Sequence, residues 1–366
     1  MSQIHNKNEL LKGINPSKVY IPTLIGLGVV VYMILTDHEL SYKTLGAYIS
    51  QASVFWLAMA VVALLVRDLF YIYRIRHLTR GQLSWTGSMY TIFLWEFSSA
   101  VSPSAVGGTA VASFLLLKEG ISFGKSLAYV LVSAVLDNMF FILVGAVVIT
   151  ISFTGGYPQG SIFPTLSEST TAVEAVFFTS YTVITLYTIL MAYGLFVKPE
   201  FIKWLFIKLT SFRWLKRFQH AAEEQGNELV IASAELKGIH IGYWIRAILS
   251  TLVVWVARYF IVNCLISAVN EISFSDHTFI FSRHVVLWVI LLIGFTPGAS
   301  GIAEIAFKAF FEPFSGTFTS ITSIVWRIVT YYPYLILGVI FLPRWINRVF
   351  SNQNEEETVT SDPVNQ

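Results

Sequence analysis

Apolar runs about as long as a bilayer's hydrocarbon core is thick leave this chain little choice but to fold as membrane-crossing helices. Roughly 20 helical residues span that core, and inside it only a helix or a closed barrel satisfies every backbone N–H and C=O. Six runs qualify: Val19 to Thr36, Tyr48 to Tyr71, Ser126 to Ile151, Ala175 to Val197, Ile239 to Val269 and Thr317 to Leu342. The first lacks a small-residue cleavage site and is followed by Asp37-His38-Glu39, so it reads as an uncleaved span. Composition agrees, with 55% hydrophobic and 13% charged residues against about 25% charged in an average soluble domain. Such a chain has too little polar surface to stay dissolved. The net charge of +2 says nothing about partners, and Cys264 as sole cysteine excludes an intrachain disulfide.

Two further apolar stretches, Met89 to Leu117 and Val285 to Phe311, are each broken in the middle. The breaks are Ser102-Pro103-Ser104-Ala105-Val106-Gly107 and Thr296-Pro297-Gly298-Ala299-Ser300-Gly301, with their prolines 194 residues apart. Each half is only about 16 to 20 Å long as a helix and cannot cross alone. Each stretch is therefore one kinked span or a re-entrant hairpin. Counting cations separates the two. With the N-terminus inside and both stretches re-entrant, 17 of the 24 lysines and arginines are cytoplasmic. They include Arg74, Arg76, Arg80, Lys118, Lys125, the seven from Lys198 to Lys237, Arg344 and Arg348. The outer segments keep Lys43, Arg283 and Lys308. Spanning stretches would place the cation-rich loop, or Arg344 and Arg348, outside, against the positive-inside rule.

The expected fold is an all-α polytopic membrane protein with about six full spans and two re-entrant helical hairpins in an inverted-topology repeat. Residues 1–350 form one integral membrane domain, with repeat one at about 48–152, repeat two at about 239–342 and a cytoplasmic amphipathic linker at about 198–237. Residues 351–366, with Glu355-Glu356-Glu357 and no aromatics, read as a disordered acidic tail. In the linker, Phe201, Trp204, Leu205, Leu209, Phe212, Leu215 and Phe218 alternate with Lys203, Lys208, Arg213, Lys216 and Arg217. That pattern suits a helix lying on anionic lipid or an elbow between the repeats. The protein is expected in the cell (inner) membrane, multi-pass, with both termini cytoplasmic.

Charges at bilayer depth cost a few kcal/mol and face protein, water or ligand. The candidates are Arg67 with Asp68, Asp137, Arg258, Glu304 and Arg327. Arg67 and Asp68 sit near a span's end, where snorkelling would serve, and Arg246 is set aside for the same reason. Asp137, Arg258 and Arg327 either pair with one another's helices or bind a ligand. At the breaks, half-helices beginning inside the membrane would aim free N–H groups at the cavity between them. Ser102, Pro103, Ser104, Gly107 and Thr109 form the first tip, and Thr296, Pro297, Ser300 and Gly301 the second. With Arg258 and Arg327 they suit a phosphate, while the same hydroxyls also serve as helix caps. Glu304, in the first turn of its half-helix, is a partner for the helix dipole or for a headgroup amine. Glu96 suits either role.

These residues resemble the flippase-like transmembrane region of lysylphosphatidylglycerol synthases and its stand-alone relatives, over roughly Tyr48 to Leu342. The matching pieces are Ser102-Pro103-Ser104 through Gly107-Gly108, Leu117-Lys118-Glu119-Gly120-Ile121-Ser122, Lys125-Ser126-Leu127-Ala128, Asp137, Thr296-Pro297-Gly298 through Gly301-Ile302-Ala303-Glu304, and Arg327 to Tyr331. That family carries an arginine shortly before the aspartate of span three, where this chain has Ala134. The synthases append a soluble aminoacyl-transfer domain, whereas only Ser351 to Gln366 follows the last expected span here, so aminoacyl transfer is not expected. No Gly-x-Ser-x-Gly elbow, Walker loop or metal-spaced His/Cys set is present either. The resemblance and the site together imply a transporter or flippase, without cofactor or metal, moving a phospholipid or lipid-linked anionic headgroup between leaflets. The alternatives are a lipid-dependent integral-membrane transferase using Asp137 or Glu304 as base, or a non-transporting partner of a lipid-modifying enzyme. A homo-oligomer is compatible with either, and no nucleic acid is expected.

Overall fold

The computed structural model describes residues 42–102, 105–164, 171–211, 219–292 and 301–361. The expected first span and the tip residues Pro103, Ser104, Thr296, Pro297 and Ser300 lie outside them, and of Gly107 only its helical backbone is described. Every regular element among the described residues is helical: α1 (Tyr42–Gln51), α2 (Val54–Leu78), α3 (Trp85–Val101), α4 (Ala105–Lys118), α5 (Phe123–Phe153) and α6 (Thr171–Ala192), which runs on through a π-helical turn, Tyr193–Val197. Then come α7 (Pro199–Thr210), α8 (Gln219–Lys237), α9 (Ile241–Ser267), α10 (Phe274–Leu291), α11 (Ile302–Ser315), α12 (Thr319–Thr330) and α13 (Tyr332–Ser361). Five segments are long and apolar enough to cross a membrane: Val54–Leu78, Phe123–Phe153, Thr171–Val197, Ile241–Ser267 and the compound Ile302–Val349. The protein is an all-α, multi-pass membrane protein.

Antiparallel helices α2 and α9 form its spine. The Ser53 N–H donates to Ala268 O at one end, and the Tyr243 hydroxyl donates to Leu78 O at the other. The 25 residues of α2 make it about 37 Å long, enough to cross the core.

Each of the two broken stretches folds as a hairpin of two helices, none of which alone is among the segments long and apolar enough to cross. Helices α3 and α4, of 17 and 14 residues, are about 25 and 21 Å long. They return to one base, for a Cβ on Gly87 in the first turn of α3 would lie 2.5 Å from the Glu119 carboxylate just beyond α4. Near the tip they close until a Cβ on Gly108 would lie 2.1 Å from Ser99 Oγ, so any larger residue there would have to displace that hydroxyl. The second hairpin, α10 and α11, begins at Phe274, 11 residues before the apolar stretch expected from sequence. Its base is joined by Asn270 Nδ2 donating to Phe314 O (2.6 Å) and by the Phe279–Phe314 ring contact (5.7 Å). Hairpin one is based at the Leu78–Tyr243 end of the spine and hairpin two at the Ala268 end.

Three features depart from the linear reading. The expected span Thr317 to Leu342 is interrupted at Tyr331, where α12 ends and α13 begins. Pro333 supplies the reason: it has no N–H to continue α12 and is well placed in a new helix's first turn. Arg283 is not an outer-loop cation. It is buried in α10, donating to Phe310 O (2.7 Å) and Ser161 O (2.9 Å). In the linker, α7 packs on α8 and α8 packs on the start of α5. There Lys125 meets Glu235 at 3.1 Å and a Cβ on Gly124 would collide with Glu228. Phe212, Leu215, Phe218, Arg213, Lys216 and Arg217 lie outside the described residues. Helix α13 continues through Ser361 and takes in Glu355-Glu356-Glu357.

Candidate substrate cavity between the hairpins

A cavity of about 330 Å³ lies where both hairpins meet the spine. Hairpin one contributes Ile92, Trp95, Glu96 and Ser99, with Ser102 and Thr109 beside its tip. Hairpin two contributes His284, Trp288 and Ala303. Helix α5 adds Asp137 and Asn138, α9 adds Trp255 and Arg258, and α12 and α13 add Arg327, Tyr331 and Tyr334. Part of the wall is aromatic: Phe141 meets Trp255 edge to face at 4.6 Å, and His284 is backed edge to face by Tyr259 at 4.6 Å. The volume is that of a small-molecule site, enough for a headgroup and not for a whole lipid.

The charges around the cavity are paired across helices. Asp137 accepts from both Nη atoms of Arg74, Nη2 at 2.9 Å, and from Trp255 Nε1 at 2.7 Å. Arg74 also donates to Ser133 (2.8 Å) and Thr251 (3.0 Å), locking α2, α5 and α9 together. Arg327 Nε donates to Glu304 Oε1 at 2.7 Å, while the other carboxylate oxygen accepts the Gly301 N–H at 2.6 Å. Gly301 has φ +88°, a left-handed conformation natural to glycine, and it turns the chain into α11. Glu304 thus caps the half-helix and ties it to α12, as its first-turn position suggests.

Glu96 holds the centre. Its Oε1 is 2.5 Å from Arg67 Nη2 and 3.8 Å from Arg258 Nη1. Arg67, 1% exposed, does not snorkel: it donates to Asp68 (2.7 Å) and to the Tyr334 hydroxyl, which itself donates to Asp68 at 2.7 Å. Arg258 lies over the Trp288 and Trp255 rings at 4.7 and 5.2 Å. Its ionic contact is the loosest of the four arginines Arg67, Arg74, Arg258 and Arg327.

Of the residues singled out from sequence, Asp137, Arg258, Arg327 and Ser102 line one cavity, and Glu304 sits behind it on Arg327. Arg246 is exposed on α9, away from them. Two participants were missed. Arg74 counts as a cytoplasmic cation in the linear reading yet is buried at 1% exposure and bonded to Asp137. Its signal is the spacing Arg67, Tyr71, Arg74, which puts all three on one stripe of α2. Glu119, at the base of hairpin one, accepts from Trp345 Nε1 at 2.8 Å and pairs with Arg348, anchoring α13. Among the described residues no group of three or more His, Cys, Asp or Glu is arranged to hold a metal ion.

Residues 23–338 match the family described as "Lysylphosphatidylglycerol synthase TM region". An "UPF0104 membrane protein" of Archaeoglobus fulgidus is 25% identical over 316 residues, covering 83% of this chain and 90% of the relative. No solved structure matches significantly.

Proposed function

The chain belongs to the lysylphosphatidylglycerol synthase TM region family, and on that premise we propose that it is a flippase moving a phospholipid, or another lipid-linked anionic headgroup, between leaflets. The observation that carries this reading is a headgroup-sized cavity shared by two hairpins whose bases lie at opposite ends of the α2–α9 spine. Short helices entering from opposite sides, with a polar site where they meet, are the arrangement by which inverted-repeat transporters expose one site to either face in turn. In this reading hairpin one enters from the cytoplasm and hairpin two from outside, in the cell's inner membrane. Arg258, on the cavity wall, is the group that takes the phosphate.

The transferase alternative needs a carboxylate free to accept a proton. Asp137 is occupied by Arg74 and Trp255, and Glu304 by Arg327 and the Gly301 N–H, so neither carboxylate stands open to a substrate. The purified protein in liposomes is expected to speed the exchange of fluorescent phospholipid between leaflets over protein-free vesicles. Arg258→Gln should lower that rate about tenfold or more, since hydrogen bonds to a charged group contribute about 1.5 to 3 kcal/mol. Rates equal to empty vesicles, across several headgroups and with an ion gradient imposed, would instead favour a partner of a separate enzyme.

A further inference from the structure

We infer that the cavity selects a headgroup carrying both a phosphate and an ammonium, with the phosphate on Arg258 and the ammonium on Glu96. The inference rests on the transport reading and narrows its substrate to a zwitterion. Around the cavity Arg67, Arg74, Arg258 and Arg327 face Asp68, Glu96, Asp137 and Glu304, so the charges cancel. Three of these carboxylates are held by tight contacts to arginine. The fourth, Glu96, is held as tightly by Arg67, at 2.5 Å, and is the carboxylate that also meets Arg258, at 3.8 Å. Both the Glu96 and Arg258 side chains keep nearly a fifth of their surface open, 18% and 19%.

A phosphate arriving at Arg258 meets the Glu96 carboxylate as its neighbour. If the headgroup carries no cation, that approach brings two anions together and leaves one negative charge uncompensated where water is scarce. An ammonium on the same headgroup removes both penalties. It can lie against the partly open Glu96 carboxylate while Arg67 continues to hold it. Glu96 is then the resident counter-anion that Arg258 exchanges for substrate, and the selector that rejects a purely anionic headgroup.

The test uses the full chain in detergent and calorimetric titration with three probes below their micelle concentrations: dihexanoyl phosphatidylethanolamine, dihexanoyl phosphatidylglycerol and soluble glycerophosphoethanolamine. The ethanolamine lipid is expected to bind about tenfold or more tightly than the glycerol lipid, and Glu96→Gln to abolish or reverse that ratio. Glu96→Asp, which keeps the charge but shortens its reach, should narrow the ratio, and it stands in should the glutamine variant fail to fold. Equal or tighter binding of the glycerol lipid, or a ratio that neither variant changes, overturns the inference. Glycerophosphoethanolamine binding as tightly as its lipid supports the zwitterion while identifying a soluble ester as the ligand. Faster flipping of phosphatidylglycerol than phosphatidylethanolamine sinks the zwitterion and leaves transport standing. Preferential ethanolamine binding without any flipping does the reverse.

Discussion

At the scale of single residues, the buried charges divide by what holds them. Arg74 gives Asp137 two hydrogen bonds and crosses to α9, so its loss strands a carboxylate in the protein interior. Breaking such a pair costs about 3 to 5 kcal/mol. Arg74→Gln should therefore lower the thermal unfolding midpoint of the purified protein markedly, measured by scanning fluorimetry in detergent. Arg327→Gln should also destabilise, because Glu304 would keep only the Gly301 N–H as partner on the face it shares with α12. Arg258→Gln removes a 3.8 Å ion contact and the guanidinium's place over Trp288 and Trp255 but leaves Glu96 paired with Arg67, so its midpoint should fall less than that of Arg74→Gln. A large drop for Arg258→Gln would mark it as structural and weaken its assignment to substrate.

At the scale of elements, the hairpins are held at their bases and closely packed above them. Glu119 clips hairpin one to α13 through Trp345 and Arg348. Higher up, a Cβ on Gly338 would lie 2.1 Å from the Phe97 ring, so α13 approaches α3 to a distance only glycine permits. Glu119→Ala should raise amide hydrogen exchange in the first turn of α3 and the last of α4 without unfolding the spine; unchanged exchange there would show that the clip does not hold the base. Hairpin two has a pH-dependent clip. Asp276 and Ser273 form a capping box at the start of α10, and Gln159 donates to Asp276 at 2.9 Å. The Ser273 hydroxyl first, then Gln159, holds the Asp276 carboxyl below its ordinary range. A lowered carboxyl stabilises the fold above its unfolded value, about pH 4, and loses that contribution as pH falls through the lowered one. Acidification below about pH 4 should thus loosen the start of α10 in the wild type and have less effect there in Asp276→Asn.

At the scale of the whole molecule, opposed hairpin bases make a topological demand. Single cysteines at Ser161 and Ser275, in a background lacking the buried Cys264, should react with an impermeant maleimide added outside intact cells. A cysteine at Ser211, exposed at the end of α7, should react only after the membrane is opened. External labelling at Ser211 would place the linker outside and contradict the arrangement.

Much of this was legible in the chain because a bilayer imposes a one-dimensional rule: an apolar run must be long enough to cross or must turn back. That rule located α2, α5, α6 and α9 and marked the Pro-Gly stretches as pairs of half-length helices. Intramembrane charge is likewise costly enough that Asp137, Arg258 and Arg327 stood out as facing something polar. What each one faces was decided only by packing. Arg74 pairs with Asp137 63 residues away, and Arg67 with Glu96 on another helix. Arg283 looks like a loop cation until α10 is seen to begin at Phe274 and bury it against Phe310 O and Ser161 O. Hydropathy depends on a residue's neighbours in sequence, whereas the partner of a buried charge is set by which helix faces meet, and that is a property of the folded chain alone.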